Sequence, residues 1–310
     1  TFAQAACRRK GNTEHWSEER KPQMIVRFNL TDAGGRFRGL RRLNLESFWE
    51  TGAPIRDRLA MWIMREAGLP SSRVNHVRVF KDGVLLGLYQ NIEAIDKEFL
   101  DRQFGADSGG NLWEAGEPME LKTNEMTNDQ SRLVALQTLV DGEPLGGDHT
   151  AFFTKLPTMV DVDEVLREMA AETVATADDN FSTGGLNYYL YDHPKRGFEV
   201  LPWDFDTIFL AVSNADPFAF WDGADPNKLR QVMNENPVWR GRFVDLVAQI
   251  RDSVLPRVPE QVTALCNQVR NAVREDPNRV PSFEDFEEDC QALREKAPAR
   301  RQALIQLLGR

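Results

Sequence analysis

The sequence predicts an α+β fold in which a small, strand-rich first part precedes a larger, mostly helical second part. Short alternating runs closed by turn residues dominate residues 1–120, and apolar residues at helical spacing dominate residues 121–310. The chain has 310 residues, 41% of them hydrophobic, enough for a single large domain or for two lobes around a cleft. Its 28% of charged residues, with no low-complexity tract, indicates a globular rather than a disordered chain.

In chain order, residues 24–30 and 37–45 read as strands joined by the turn Thr31-Asp32-Ala33-Gly34-Gly35. Residues 74–80 and Val84–Ile92 form a hairpin across Lys81-Asp82-Gly83. Between these pairs Ile55, Leu59, Trp62, Ile63 and Ala67 mark one face of a helix, with Pro54 suited to its first position. Further on, Asp161 followed by Glu164 signals a helix start, and Val162, Val165, Leu166, Met169, Ala170 and Val174 mark its buried face. Helices are also expected over 238–255, 260–274 and Phe283–Leu308, the last opened by a Ser282/Asp285 capping box and broken at Pro298. Cys7, Cys266 and Cys290 have no Cys-x-x-Cys spacing, which disfavours zinc. A Cys266–Cys290 bridge between neighbouring helices is conceivable, and two buried free thiols are the expectation.

Residues 177–210, ADDNFSTGGLNYYLYDHPKRGFEVLPWDFDTIFL, carry the densest chemistry. Two apolar runs, 187–191 and 198–202, flank a turn holding Pro194, Lys195 and Gly197, so a hairpin is expected there. Its closing would bring Asp179, Asn187 and Asp204 into one small volume of hard oxygen ligands, which suits Mg²⁺ and nucleotide phosphates. Acids in turns also serve as caps or solvated groups, and that reading stays open.

NYYLY followed by LPWDFD resembles the second signature of the CotH kinase family, whose usual form is close to W-D-x-Y, N-x-Y-Y-L-Y and P-W-D-x-D. Asp179-Asn180-Phe181 stands at its D-x-Y, Asn187 opens NYYLY, and Pro202-Trp203-Asp204-Phe205-Asp206 completes it. Earlier segments agree in order. Arg9-Lys10-Gly11-Asn12-Thr13 resembles the family's R-G-N-[ST] turn and Lys21-Pro22 its strand entry. Residues 54–59 and Ala67-Gly68-Leu69-Pro70 resemble its helix with a G-L-P stop, and residues 77–100 with Gly110-Asn111-Leu112-Trp113 follow. The resemblance spans about residues 7–210.

That resemblance implies an atypical protein-kinase-like, two-lobed fold with a β-rich N-lobe and a helical C-lobe. It also implies ATP with Mg²⁺ or Mn²⁺ as cofactors and an acceptor protein as partner. By it, Asp179 would orient the acceptor hydroxyl, Asp204 and Asn187 would hold metal, and Asp206 would be an alternative ligand or a supporting partner. Gly11 and Asn12 with Lys21 or Arg27 would meet the phosphates, and Glu93 would sit at the junction between lobes. The family often has Lys where this chain has Glu114, so Glu114 is expected to turn away and Lys21, Arg27 or Lys122 to supply the charge. Asp179 and Asn187 lie eight positions apart, against five in ordinary kinases. Other nucleotide-dependent transfers, of AMP or glutamate, and an inactive binding module therefore stay open. The family's usual setting implies a spore-surface or extracytoplasmic location.

A net charge of −10, from 38 basic and 48 acidic residues, argues against a nucleic-acid partner. No run of 18 apolar residues and no leader pattern occurs, and a chain that starts at Thr1 reads as an excised domain. His15, His76, His149 and His193 are scattered without a zinc-protease motif, and no nucleophile elbow or Walker motif is present. A Ca²⁺ site using Asp216, Asp222 and Asp225 is a rival use of acids, although their spacing does not fit an EF-hand loop.

Overall fold

The computed structural model describes residues 5–10, 21–47, 52–210, 214–218 and 227–309. Strands β1 (Ala6–Arg9), β2 (Met24–Arg27) and β3 (Arg42–Glu46) are followed by helix α1 (Arg56–Glu66) and the hairpin of β4 (Val74–Lys81) and β5 (Val84–Ile92). All five strands pair antiparallel in the order β1-β2-β3-β5-β4. The hairpin tip places Asp82 and Gly83 at positive φ, the geometry an Asp-Gly turn favours.

Two expected strands are shorter than the pattern indicates. After Arg27 the chain folds back on itself: Phe37 and Leu40 pair with each other, and Phe37 stacks on Phe28 with ring centroids 5.3 Å apart. Pro54 precedes α1 rather than opening it, because its carbonyl accepts a hydrogen bond from His76 Nε2 and Ile55 takes the cap position.

Helix α2 (Lys97–Phe104) starts at Asp96, whose carboxylate accepts the Glu98 and Phe99 N–H groups. Short strands β6 (Leu112–Glu114) and β7 (Glu120–Leu121) come next, then α3 (Ser131–Gly142), α4 (Thr150–Lys155) and α5 (Val162–Ala175). Asp161 caps α5 through the Glu164 N–H, as its spacing predicts. The four-residue helix α6 (Phe181–Gly184) leads into the hairpin β8 (Tyr188–His193) and β9 (Gly197–Pro202), which completes a second antiparallel sheet ordered β7-β6-β8-β9.

Helices α7 (Lys228–Glu235), α8 (Pro237–Ser253), α9 (Val258–Glu275) and α10 (Phe283–Leu308) finish the fold. The Ser282/Asp285 capping box opens α10. Pro298 does not break it: buried Arg300 donates to the Ala215 and Thr173 carbonyls at 2.6 and 2.8 Å, and Ala297 and Leu304 on either side stay in the core. Cys266 and Cys290 form a disulfide joining α9 to α10, which corrects the expectation of two free thiols. The two helices face each other closely enough to bridge, which sequence spacing alone cannot show. One hydrophobic cluster runs from Leu88 and Ile92 of the first sheet through α1 and α5 into α8, α9 and α10. No described helix is long and apolar enough to cross a membrane.

Candidate functional site

The β8–β9 hairpin pairs Tyr188 with Pro202, so its entrance and exit meet, and both junctions are left-handed: Asn187 has φ +51 and Asp204 φ +59. Asn and Asp are the side-chain-bearing residues that tolerate this conformation best. Asn187 Nδ2 donates to the Asp179 carbonyl (2.8 Å) and to Asp179 Oδ2 (3.2 Å). Asn180 Nδ2 donates to the carbonyls of Trp203 (3.0 Å) and Asp204 (3.2 Å). These bonds tie the segment before α6, the hairpin entrance and the hairpin exit together. Asp179, Asn187 and Asp204 therefore share one neighbourhood. Asp206 lies near the Arg56 guanidinium, close enough for their charges to interact.

The facing wall comes from the first sheet and α1. Buried Asp57, in the first turn of α1, accepts the Phe205 N–H on Oδ1 (3.1 Å) and the Gln90 amide on Oδ2 (3.0 Å). Its carboxyl is pushed up to about 7 by burial, then by the charges of Asp204 and Glu46. Lys10 pairs with Glu46 at the end of β3, and its ammonium stands 5.7 Å over the Trp203 ring. Burial opposes the Lys10 charge, but Glu46, Asp204 and Asp57 outweigh it and raise the lysine above its ordinary range. Asp204 is solvent-exposed at its edge yet surrounded by protein. That surrounding mass raises its carboxyl, and Lys10 pulls it back down.

The other predicted cations sit elsewhere. Lys21 is buried, donating to Asp276 Oδ2 (2.7 Å) and the Leu88 carbonyl (2.6 Å). The approach is so close that Gly87, at φ +147, has no room for a Cβ: Asp276 Oδ1 would lie 2.6 Å from it and Lys21 Cδ 2.8 Å. Arg27 is exposed at the end of β2, opposite Arg42. Lys122 bridges Glu114 (2.5 Å) and Glu120 (2.8 Å), and Glu114 also accepts the Tyr189 hydroxyl at 2.8 Å. Glu93 is buried between Arg73 and Arg102. Burial opposes its charge, but bonds from both arginines outweigh this and hold the carboxyl below its usual range. Gly11 and Asn12 lie outside the described residues, as do Thr13, His15, Asp222 and Asp225, while Asp216 accepts the Phe218 N–H at 2.9 Å.

Sequence reasoning passed over Lys10, Glu46 and Asp57. Lys10 stands inside the quoted R-K-G-N-T turn and Asp57 inside the first helical turn, so both had a local signal. Glu46 had none, since a strand-end acid reads as solvated.

Among the described residues no three His, Cys, Asp or Glu side chains are arranged to enclose a metal ion. Hard cations beside nucleotides are commonly held by one or two side chains, with phosphate and water at the other positions. Asp204 and the Asn187 side-chain oxygen are hard oxygen donors of that kind, and the Lys10 charge acts on Asp204.

The model of the CotH kinase protein family matches residues 8–304 of this chain. The inner spore coat protein H of Bacillus subtilis (strain 168) is 22% identical over 296 residues, covering 86% of this chain and 78% of that protein. A solved complex of the Shewanella oneidensis MR-1 toxin–antitoxin proteins HipA and HipB with operator DNA shows 14% identity and a TM-score of 0.38. It covers 86% of this chain and 58% of that one, and a likeness this slight carries no argument.

Proposed function

The chain belongs to the CotH kinase protein family, and on that premise we propose that it transfers the γ-phosphoryl group of ATP to a Ser or Thr hydroxyl of an acceptor protein, with Mg²⁺ or Mn²⁺. The carrying observation is that Asn187 bonds to Asp179 and Asn180 to the Asp204 carbonyl, which joins the segment before α6 to the entrance and exit of the hairpin. In this reading residues 1–120, with the five-stranded sheet and α1, are the N-lobe and residues 121–310 the C-lobe of a single domain. The name of the Bacillus relative favours a spore-surface setting, and no nucleic-acid partner is invoked.

Phosphoryl transfer asks the protein for positioning and charge neutralisation more than for covalent chemistry. Asp179 orients the acceptor hydroxyl and takes its proton, while Asn187 holds Asp179 in place through its amide. Asp204 and the Asn187 oxygen would hold the cation, which when bound would supply charge that neutralises the phosphates. Lys10, poised by Glu46, supplies the protein's own positive charge in place of the expected Lys21, Arg27 or Lys122. The Asp57 carboxylate fixes the Phe205 backbone, and with it the left-handed turn at Asp204.

The test is intact-mass analysis of an acceptor, or of the chain itself, after incubation with ATP and Mg²⁺ or Mn²⁺. A phosphate adduct that disappears in Asp204→Ala is the expected result. An AMP or glutamate adduct would replace the kinase reading with another transfer on the same site. Metal binding without nucleotide dependence, and with no adduct, would reduce the site to a binding module.

A further inference from the structure

Helix α5 turns three acids inward at four-residue spacing, Glu164, Glu168 and Glu172, where a helix face would ordinarily be apolar. Glu164 Oε2 accepts the Val200 N–H at 2.9 Å. Glu172 is almost fully buried, and its Oε2 accepts the Ser182 N–H at 2.7 Å. Ser182 is the second residue of α6, whose own cap residue, Asn180, makes no side-chain cap bond. An orphan N–H at a helix start needs an acceptor, and here a glutamate from another helix provides it. The Asn180 amide is therefore free of capping duty and spans to the Trp203 and Asp204 carbonyls.

The other side of α6 is held just as closely. Buried Arg230 on α7 donates to the Ser182 carbonyl and to the Pro217 carbonyl, both at 2.8 Å, and Asn227 Nδ2 donates to the Phe181 carbonyl at 2.6 Å. Glu168 lies one turn back from Glu172, fully buried, with no donor to either oxygen among the described residues. Two carboxylates cannot both stay ionised in such a place. Burial first, then the neighbouring acids, push Glu168 well above the usual carboxylate range.

We propose that Glu172 and Arg230 clamp α6 and thereby position the loop that carries Asp179 and Asn187, with Glu168 packed one turn behind Glu172. The proposal rests on the kinase reading only for its effect on turnover. Glu172 and Arg230 are positioning residues, and neither meets substrate. Removing the Glu172 acceptor leaves the Ser182 N–H uncapped. Asn180 is the nearest side chain able to cap α6, and in doing so it releases the Trp203–Asp204 backbone.

The experiment is hydrogen–deuterium exchange on the full chain, reading peptides over 177–188 and 203–210, alongside ATP affinity and turnover. In Glu172→Ala, protection of both segments should fall about tenfold or more, and turnover should fall with them while ATP affinity holds. Glu172→Gln, which keeps an acceptor, should restore both. Glu168→Gln, which mimics the protonated acid, should leave fold, protection and turnover unchanged. Full protection in a folded Glu172→Ala would overturn the clamp. Should Glu172→Ala not fold, Glu168→Gln and Glu172→Gln decide the matter, and loosening in either overturns the clamp as drawn. If the unaltered chain transfers no phosphate, the kinase reading fails, and the exchange result still judges the clamp.

Discussion

The amide bonds that tie the entrance and exit of the hairpin together join partners near in sequence, whereas those made by α1 and the first sheet join partners far away. Asn187 reaches Asp179 across 8 positions and Asn180 reaches Asp204 across 24. On the other wall, Asp57 meets Phe205 across 148 positions and Arg56 meets Asp289 across 233; farther from the site, Lys21 meets Asp276 across 255. Local bonds leave a signature in a short motif. Distant ones do not, so the role of a lysine or arginine on the second wall depends on which acid the finished fold sets beside it.

The largest effect should come from breaking the most distant pair. Lys21→Met leaves Asp276 as a buried carboxylate without its cation, and removing one partner of a buried pair costs about 3–5 kcal/mol. Denaturant unfolding should show that loss, while whatever fraction folds should bind ATP as the unaltered chain does. Weaker ATP binding at undiminished stability would return Lys21 to the phosphate site and reverse the contrast.

On the hairpin wall the loss should appear in turnover instead. Asp179→Asn keeps the Asn187 contact and the fold, and it should lower turnover by about a hundredfold or more, the scale of a positioned base, with ATP affinity unchanged. Steady-state kinetics beside calorimetry separates the two quantities. Unaltered turnover would assign Asp179 to turn capping.

The same contrast explains what could be read from the chain. The β8–β9 hairpin, α5 with its Asp161 cap and the capping box of α10 follow from spacing, because each depends on residues within a few positions. That Asn187 and Asp204 lie at meeting ends was also legible, since closing the hairpin brings them together, whereas the place of Asp179 depends in addition on the turn through α6. Helix α3 was not: its apolar residues form no clear stripe, and it buries only Leu133 and Leu136. Nor was the choice among cations, because Lys10, Lys21 and Lys122 look alike until Glu46, Asp276 and Glu114 are beside them. Nor was the uninterrupted course of α10 past Pro298, beside which Arg300 bonds to residues 85 and 127 positions away.

A smaller change should follow at Lys10. Its charge acts on Asp204 from across the site, and a positive charge at contact with phosphate is worth about 1–4 kcal/mol depending on local screening, so Lys10→Met should weaken ATP binding about tenfold or more. Lys122→Met, measured in the same calorimeter, should stay close to the unaltered chain because Glu114 and Glu120 already occupy that ammonium. The reverse ranking would move the phosphate cation to the second sheet.

The smallest expected effect lies away from both walls and tests whether a distant pair matters when it is not part of the site. His149 is held between Glu143 (2.5 Å) and Glu235 (2.8 Å), and these two bonds raise its pKa above the ordinary 6.5. A group raised on folding gives stability that is complete below its unfolded pKa and is lost as pH climbs through the folded one. The thermal midpoint should therefore fall as pH rises from about 6 toward 8, and part of that fall should vanish in His149→Gln. Buried Asp57 and Glu172 are also raised and push the whole-chain trend the same way, so the informative quantity is the difference between the two pH profiles. ATP binding, corrected for unfolding, should follow one curve in both proteins. If His149→Gln instead changed ATP affinity at a pH where both are folded, the Glu143–His149–Glu235 link would reach the site, and the separation between nearby and distant supports would fail there.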